Sequence, residues 1–325
     1  MKDRMKAPRF DVTSIGEIMI RLSVPTGERL DDTEYLDVEM GGAEGNASIA
    51  LARLGRRVSW LGRLPDTALG EYIVRTLRAD GVDVSAVRRA PNERMGLYFI
   101  EYASTPRAIN VVYDRADSAA ARMTVRDVDW DTLLDTRILH LTGITPALSS
   151  SCREIIDEAV TRATNAGITV SFDVNYRAKL WDAKTAASTL RPLVEKANIL
   201  LCKSSDASLL FGCTGTVDEK LLQLAKITRA ESIYVTAGES GAALLHAGSV
   251  ITQPALPVVI VDRVGSGDAF AAGVIDGLLD NNPRLGLQRG VAMAAIALSQ
   301  HGDRVLTSRT ELNTVLTRQG SDISR

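Results

Sequence analysis

The sequence predicts an α/β fold: a mainly parallel central sheet with helices on both faces, plus a small β lid, in one domain spanning residues 1–325. Three observations carry this. Short apolar runs alternate with helix-period segments over most of the chain, glycine turns join strand patterns to helix patterns, and one region, residues 94–115, places two extended runs side by side with no helix between them.

In chain order, the run DVTSIGEIMIRL from Asp11 has strand chemistry broken at Gly16-Glu17, which predicts a first core strand and a second extended piece over residues 18–22. Residues 25–40 are rich in Pro, Gly and acids. In GGAEGNASIALARLG, Gly41-Gly42 reads as a close approach of backbone to a neighbour and residues 46–54 as a helix stopped by Gly55. Asn46 either caps that helix or offers its amide to a polyol. A strand at 58–61 leads through Pro65-Asp66 into a helix at 69–77, ended by Gly81. GLYFIEYA and AINVVYDR, separated by Ser104-Thr105-Pro106, predict a hairpin, and segments of about 17–40 and 94–116 form the lid. Its Tyr98, Tyr113 and Arg115 either pack the hairpin or face a ligand carboxylate.

The alternation resumes after Met123, with helices at 130–134, 152–165, 183–196 and 218–228, and strands at 138–141, 168–172, 199–201 and 233–236. A second glycine turn, TAGESGAALL with Gly238 and Gly241, precedes a further strand. Residues 258–261 read as a buried strand, followed by a helix beginning near Asp268, a small-residue helix at 285–300 that ends near His301, and a frayed polar tail after Arg318. Ligands on parallel sheets sit past the carboxyl ends of the strands, so the 173–177 run DVNYR, residues 203–206 and the Gly265 turn are expected on one rim. Arg177 there is a surface residue or a partner for a carboxylate or phosphate.

Composition narrows the function. A chain of 325 residues that is 45% hydrophobic and 24% charged is an ordinary globular protein, and a net charge of -2 gives no electrostatic case for nucleic acid or an acidic membrane. Cys152, Cys202 and Cys213 lack metal-ligand spacing and are expected as buried thiols, no apolar run is long enough to span a membrane, and the basic start is not followed by a signal core. A cytoplasmic, reduced protein is expected, and an exposed face on the lid sheet favours a homo-oligomer.

The chain is organised around VVIVDRVGSGDAFAAG. Amides of Gly265, Ser266 and Gly267, with the positive end of the following helix, make a site for an anion such as a phosphate oxygen. Asp268 beside them is either a helix-start cap or a base that takes a proton from a hydroxyl. No Gly-Lys-Ser/Thr occurs, so a Walker-type loop is excluded, and Phe270 replaces the third glycine of a dinucleotide fingerprint, which argues against a dehydrogenase.

GGAEGNASIALARLG and DRVGSGDAFAAG together resemble the paired fingerprints of the ribokinase-like (PfkB) carbohydrate kinases, and HLTGITPALS, FDVNYRAKLW and the late HGD resemble the 2-keto-3-deoxygluconate kinases among them. The resemblance covers nearly the whole chain. It implies a ribokinase-like fold and ATP-dependent phosphorylation of the terminal hydroxyl of an acidic keto sugar, with magnesium entering with ATP. By similarity Asp268 is the base, with the Gly265, Ser266 and Gly267 amides as anion hole; Gly42 and Asn46 hold sugar hydroxyls; Tyr98, Tyr113, Arg115 and Arg177 surround the keto-acid end; Asp303 also touches substrate. Lys203, Thr236, Gly238 and Gly241, with Gly265 and Gly267, line the nucleotide. Two positions depart from the pattern: Arg263 stands where a small or hydroxyl residue is usual, so no monovalent cation site is assigned, and Lys203-Ser204-Ser205-Asp206 replaces Asn-x-x-Glu, leaving Asp206 to reach magnesium through water. A fructokinase, ribokinase or other neutral-sugar kinase is the alternative within the fold, and a non-catalytic sugar-binding protein the alternative outside catalysis.

Overall fold

The computed structural model describes residues 7–103 and 107–317; the Ser104-Thr105-Pro106 turn and the tail after Arg318 lie outside the described residues. The body is built on an eight-stranded sheet. From one edge its strands run Ser249–Gln253, Ala242–His246, Ser232–Thr236, Ile199–Lys203, Thr169–Asp173, Thr136–Thr142, Phe10–Ile15 and Val58–Leu61. The six from Ser232–Thr236 onward are parallel, and only the edge hairpin is antiparallel.

Both faces of the sheet are covered, as its central strands require, since they are apolar on both sides. Leu139, Leu141, Phe172, Leu200 and Val235 meet helices Ser150–Asn165, Ala183–Lys196, Ser204–Phe211 and Val217–Leu224 on one face. Ile138, Ile199, Leu201 and Tyr234 alternate to the other face, against helices Ala43–Arg53, Ser266–Leu279, Pro283–Leu298 and Arg309–Thr317. Gly286 and Gly290 let the last two long helices approach closely, because side chains there would meet Val274 and Phe270.

A separate four-stranded sheet has the order Asp37–Gly41, Met19–Ser23, Leu97–Glu101, Asn110–Asp114. Its two outer pairings are antiparallel and its central one parallel. Met19, Tyr98, Ile100, Val111 and Tyr113 lie on the face turned to the cavity described below.

Three local expectations are corrected. Residues 258–261 form no strand: Val259 is 86% exposed, and Val258 and Ile260 line the cavity instead of pairing with the sheet. The helix expected at 218–228 is Val217–Leu224, because the Lys226 and Ile227 amides turn back onto the carbonyls of Gln223 and Leu224. Asn46 is not a cap, since the helix starts at Ala43 and places Asn46 inside its first turn with its side chain free for another partner. The three cysteines are buried thiols, and no helix among the described residues is long and apolar enough to cross a membrane.

Candidate active site

One cavity of about 1270 Å³ opens between the lid sheet and the carboxyl ends of the parallel strands. Its organising element is the helix Ser266–Leu279, whose N-cap, Gly265, sits at φ 81°, ψ −12°. That left-handed backbone favours glycine, and a Cβ there would also run into the Asp303 carbonyl. The turn leaves the first amides of the helix without intrahelical partners, aimed into the cavity together with the helix dipole. Ser266 Oγ is not free for a ligand in this state, because it donates to the Arg263 carbonyl at 3.0 Å.

Asp268 lies in the first turn of that helix, buried, and its Oδ2 accepts from Asn46 Nδ2 at 2.8 Å. Two motifs 222 residues apart in sequence therefore meet on one carboxylate. Gly42 makes this possible: a Cβ there would strike the Glu17 carbonyl, so only glycine lets the helix Ala43–Arg53 start this close to the lid. Burial raises the Asp268 pKa above the ordinary carboxylate value, and the Asn46 hydrogen bond and the charges of Arg177 and Lys203 partly offset it.

Every residue expected at the site except Asp206 lines this cavity: Gly42, Asn46, Tyr98, Tyr113, Arg115, Arg177, Lys203, Thr236, Gly238, Gly241, Gly265, Ser266, Gly267, Asp268 and Asp303. Asp206 does not reach it. It sits near the start of helix Ser204–Phe211, buried, with Oδ1 accepting from Ser205 Oγ at 3.2 Å and Oδ2 unpartnered among the described residues.

Sequence reasoning placed the 173–177 run on this rim but did not single out Asp173, at the end of strand Thr169–Asp173, as a further carboxylate lining the cavity. Burial and then the neighbouring Asp268 push its pKa up to about 7, against the pull of Lys203, the Asn175 amide and Arg177. Its position at a strand's carboxyl end was the available signal. Among the described residues no group of three or more His, Cys, Asp or Glu side chains is placed to hold a metal.

Glu17 was missed as well. Its Oε2 accepts from Arg115 Nε at 2.8 Å and from Nη2, and its Oε1 accepts from Ser118 Oγ at 2.5 Å. Arg115 is therefore a fixed, partly neutralised cation whose Nη1 has no partner among the described residues, stacked over Tyr113 with its charge 5.4 Å from the ring centre. The Tyr113 ring packs against Tyr98, centroids 5.8 Å apart. The Arg177 side chain makes no hydrogen bond or ion pair among the described residues. Arg263 is exposed on the cavity wall beside the glycine turn.

A buried carboxylate, helix-start amides and unpaired cations around one cavity are the parts phosphoryl transfer needs. Comparison with known proteins agrees. The family model for pfkB family carbohydrate kinases matches residues 9–310. The chain belongs to that family. It is 36% identical to the 2-dehydro-3-deoxygalactonokinase of Haloferax volcanii over 97% of this chain and 99% of that one. It is 31% identical to the 2-dehydro-3-deoxygluconokinase of Bacillus subtilis, covering 96% and 97% of the two. The crystal structure of 2-dehydro-3-deoxygluconokinase from Thermotoga maritima superposes with a TM-score of 0.91 at 31% identity, covering 95% of this chain and 100% of that one. The protein is thus a carbohydrate kinase with a ribokinase-like fold.

Proposed function

We propose that this carbohydrate kinase transfers the γ-phosphoryl group of ATP to the terminal hydroxyl of a 2-keto-3-deoxy sugar acid, 2-keto-3-deoxygluconate or its galacto epimer. The observation that carries the reading is the meeting of Asn46, from the Gly41-Gly42 cradle, with Asp268, beside the glycine turn, inside a cavity walled by the lid tyrosines. The names of the relatives in Haloferax, Bacillus and Thermotoga support the substrate class.

The sugar lies between the lid and the cradle, with its hydroxyls toward Gly42, Asn46 and Asp303 and its carboxylate toward Arg115 Nη1, Tyr98 and Tyr113. Asp268 takes the proton of the terminal hydroxyl, while the Gly265, Ser266 and Gly267 amides receive the charge growing on the transferred phosphoryl oxygens. Arg177, Lys203 and Arg263 are the cations on the cavity wall nearest that work. The nucleotide extends past Thr236, Gly238 and Gly241, its base against the apolar end formed by Leu256, Val258, Ile260, Ala294 and Leu298. Magnesium carried on the ATP phosphates supplies charge neutralisation there, and Asp173 is the residue that would meet its water shell. Lid closure keeps water from acting as acceptor. The reading extends to a cytoplasmic homo-oligomer.

The test is a coupled ADP-release assay with 2-keto-3-deoxygluconate, its galacto epimer, fructose, ribose and a nucleoside as acceptors. Preferred turnover of one or both sugar acids is expected. Equal or better turnover of a neutral sugar overturns the substrate class, and no turnover with any acceptor overturns catalysis.

A further inference from the structure

The lid strand Met19–Ser23 carries one charged side chain, Arg21, and it is fully buried. A buried guanidinium must be paired and hydrogen-bonded. Arg21 Nη2 donates to Asp262 Oδ2 at 2.6 Å and to the Tyr102 hydroxyl, Nη1 donates to Asp303 Oδ1, and Nε donates to Ser23 Oγ at 2.9 Å, with Glu39 at 3.5 Å. Glu39, Arg21, Tyr98 and Tyr113 form one register row across the four lid strands. Asp262 and Asp303 belong to the body.

Those two carboxylates are where the glycine turn and the sugar wall are held. Asp262 opens DRVGSGD and shapes it, accepting from the Val264 amide at 3.0 Å through Oδ1 and from the Gly302 amide at 3.2 Å through Oδ2. The Asp303 carbonyl abuts Gly265, and the Asp303 carboxylate lines the cavity facing the Tyr98 hydroxyl. One guanidinium thus spans the lid, the turn that presents the anion-holding amides and the carboxylate expected at a sugar hydroxyl.

We propose that Arg21 is a positioning residue for phosphoryl transfer: by bridging Asp262 and Asp303 it ties the lid to the glycine turn and holds Asp303 as an ionised acceptor for the sugar. The inference rests on the reading of the cavity as the sugar and nucleotide site. The charged and titratable groups around Asp303 are Arg21 and Tyr98 from the lid and Asp268 from the motif helix, with Asp262 and Glu39 reached across Arg21. Burial raises the Asp303 pKa and Asp268 adds to it; Arg21 is the cation that opposes both. Without the guanidinium Asp303 keeps its proton to higher pH, and a protonated Asp303 is a poorer acceptor.

The experiment compares the parent with Arg21→Met and Arg21→Lys, each first checked for cooperative melting, in sugar-acid phosphorylation assays from about pH 5 to 9. Turnover by the parent tests the reading of the cavity on its own, whatever the variants do. Both variants are expected to lose about tenfold or more in kcat/KM. In Arg21→Met the acid limb of kcat/KM is expected to move up by about one pH unit, and in Arg21→Lys, which keeps the charge but not the fork, by less than half of that. An Arg21→Met enzyme with parental kcat/KM, or equal losses in both variants with the acid limb unmoved, overturns the proposal. If Arg21→Met does not fold, Arg21→Lys decides alone: kcat/KM within about threefold of the parent overturns it, and a loss of about tenfold with intact melting supports it.

Discussion

Asp268 must be ionised to take a proton, yet it is buried, so the protein compensates with Asn46 Nδ2 at 2.8 Å and the charges of Arg177 and Lys203. Asp268→Asn keeps the shape and the space for sugar but removes the acceptor. Turnover is expected to fall by about 10³ or more while sugar-acid binding by calorimetry changes by less than about threefold; parental turnover would remove Asp268 from the chemistry. Another buried acid has a different fate. Glu44 is enclosed, with Oε1 accepting from Thr142 at 2.8 Å and Thr145 at 2.7 Å and Oε2 unpartnered among the described residues. Burial pushes its pKa up to about 7. A carboxyl whose folded pKa is raised contributes stability at low pH that is lost as pH rises through the folded value. Between about pH 4.5 and 7 this amounts to at most about 3 kcal/mol. Glu44→Gln is expected to flatten that part of the stability profile, measured by urea unfolding at pH 5 and 8, with Asp173 still titrating in both proteins. Equal slopes for variant and parent would show that Glu44 is already ionised at pH 5.

The helix Ser266–Leu279 has to hold its first turn in place against the charge it collects, and the far end anchors it. Asp276 is fully buried, accepts from Arg56 Nε at 2.7 Å and from Arg309 Nη1 at 2.5 Å, and forms an ion pair with Arg289 Nη1 at 2.7 Å, tying the helix to two others and to the loop before strand Val58–Leu61. Asp276→Ala leaves Arg309 without its carboxylate and Arg56 and Arg289 with Asp280 alone, and a loss of about 3 kcal/mol in unfolding free energy is expected. A loss below about 1 kcal/mol would mean that solvent replaces the carboxylate. This anchoring was invisible in the sequence, where Asp276 reads as one acid in an apolar helix. The same limit explains the errors at element level. Residues 258–261 have strand composition, but an apolar run says only that the side chains want cover, and here a cavity wall takes Val258 and Ile260 while Val259 faces out. Asn46 looked like a cap because the helix pattern begins there, whereas its true start at Ala43 depends on Gly42 lying against the Glu17 carbonyl, a contact between distant segments. The alternating strands and helices of the body were legible because each is set by local periodicity.

At the scale of the whole molecule, the convergence of GGAEGN with VGSGD was readable only through the resemblance of the pair to the carbohydrate-kinase fingerprints, since Asn46 and Asp268 taken singly also read as helix caps. The bridging charges were not: Arg21, Glu17 and Asp262 owe their roles to partners brought together only by the fold. The lid sheet leaves one further consequence. Its cavity face carries the row Glu39, Arg21, Tyr98 and Tyr113, so the alternation of the strands turns the next row outward, and that row is apolar in all four strands: Val38, Leu22, Phe99 and Val112. Val38 is 52% exposed and Val112 43%, with Leu22 and Phe99 half-buried between them. A flat apolar row across an open sheet is a surface that stable soluble chains cover, and a second copy of the same lid, meeting it about a twofold axis, presents the matching row. The protein is therefore expected to sediment as a dimer, and Val112→Lys together with Val38→Lys, which places charges on both flanks of the row, is expected to shift it to monomer without lowering the melting temperature of the body by more than a few degrees. A parent that sediments as a monomer at micromolar concentration, or a double variant that remains dimeric, would place any assembly on another face.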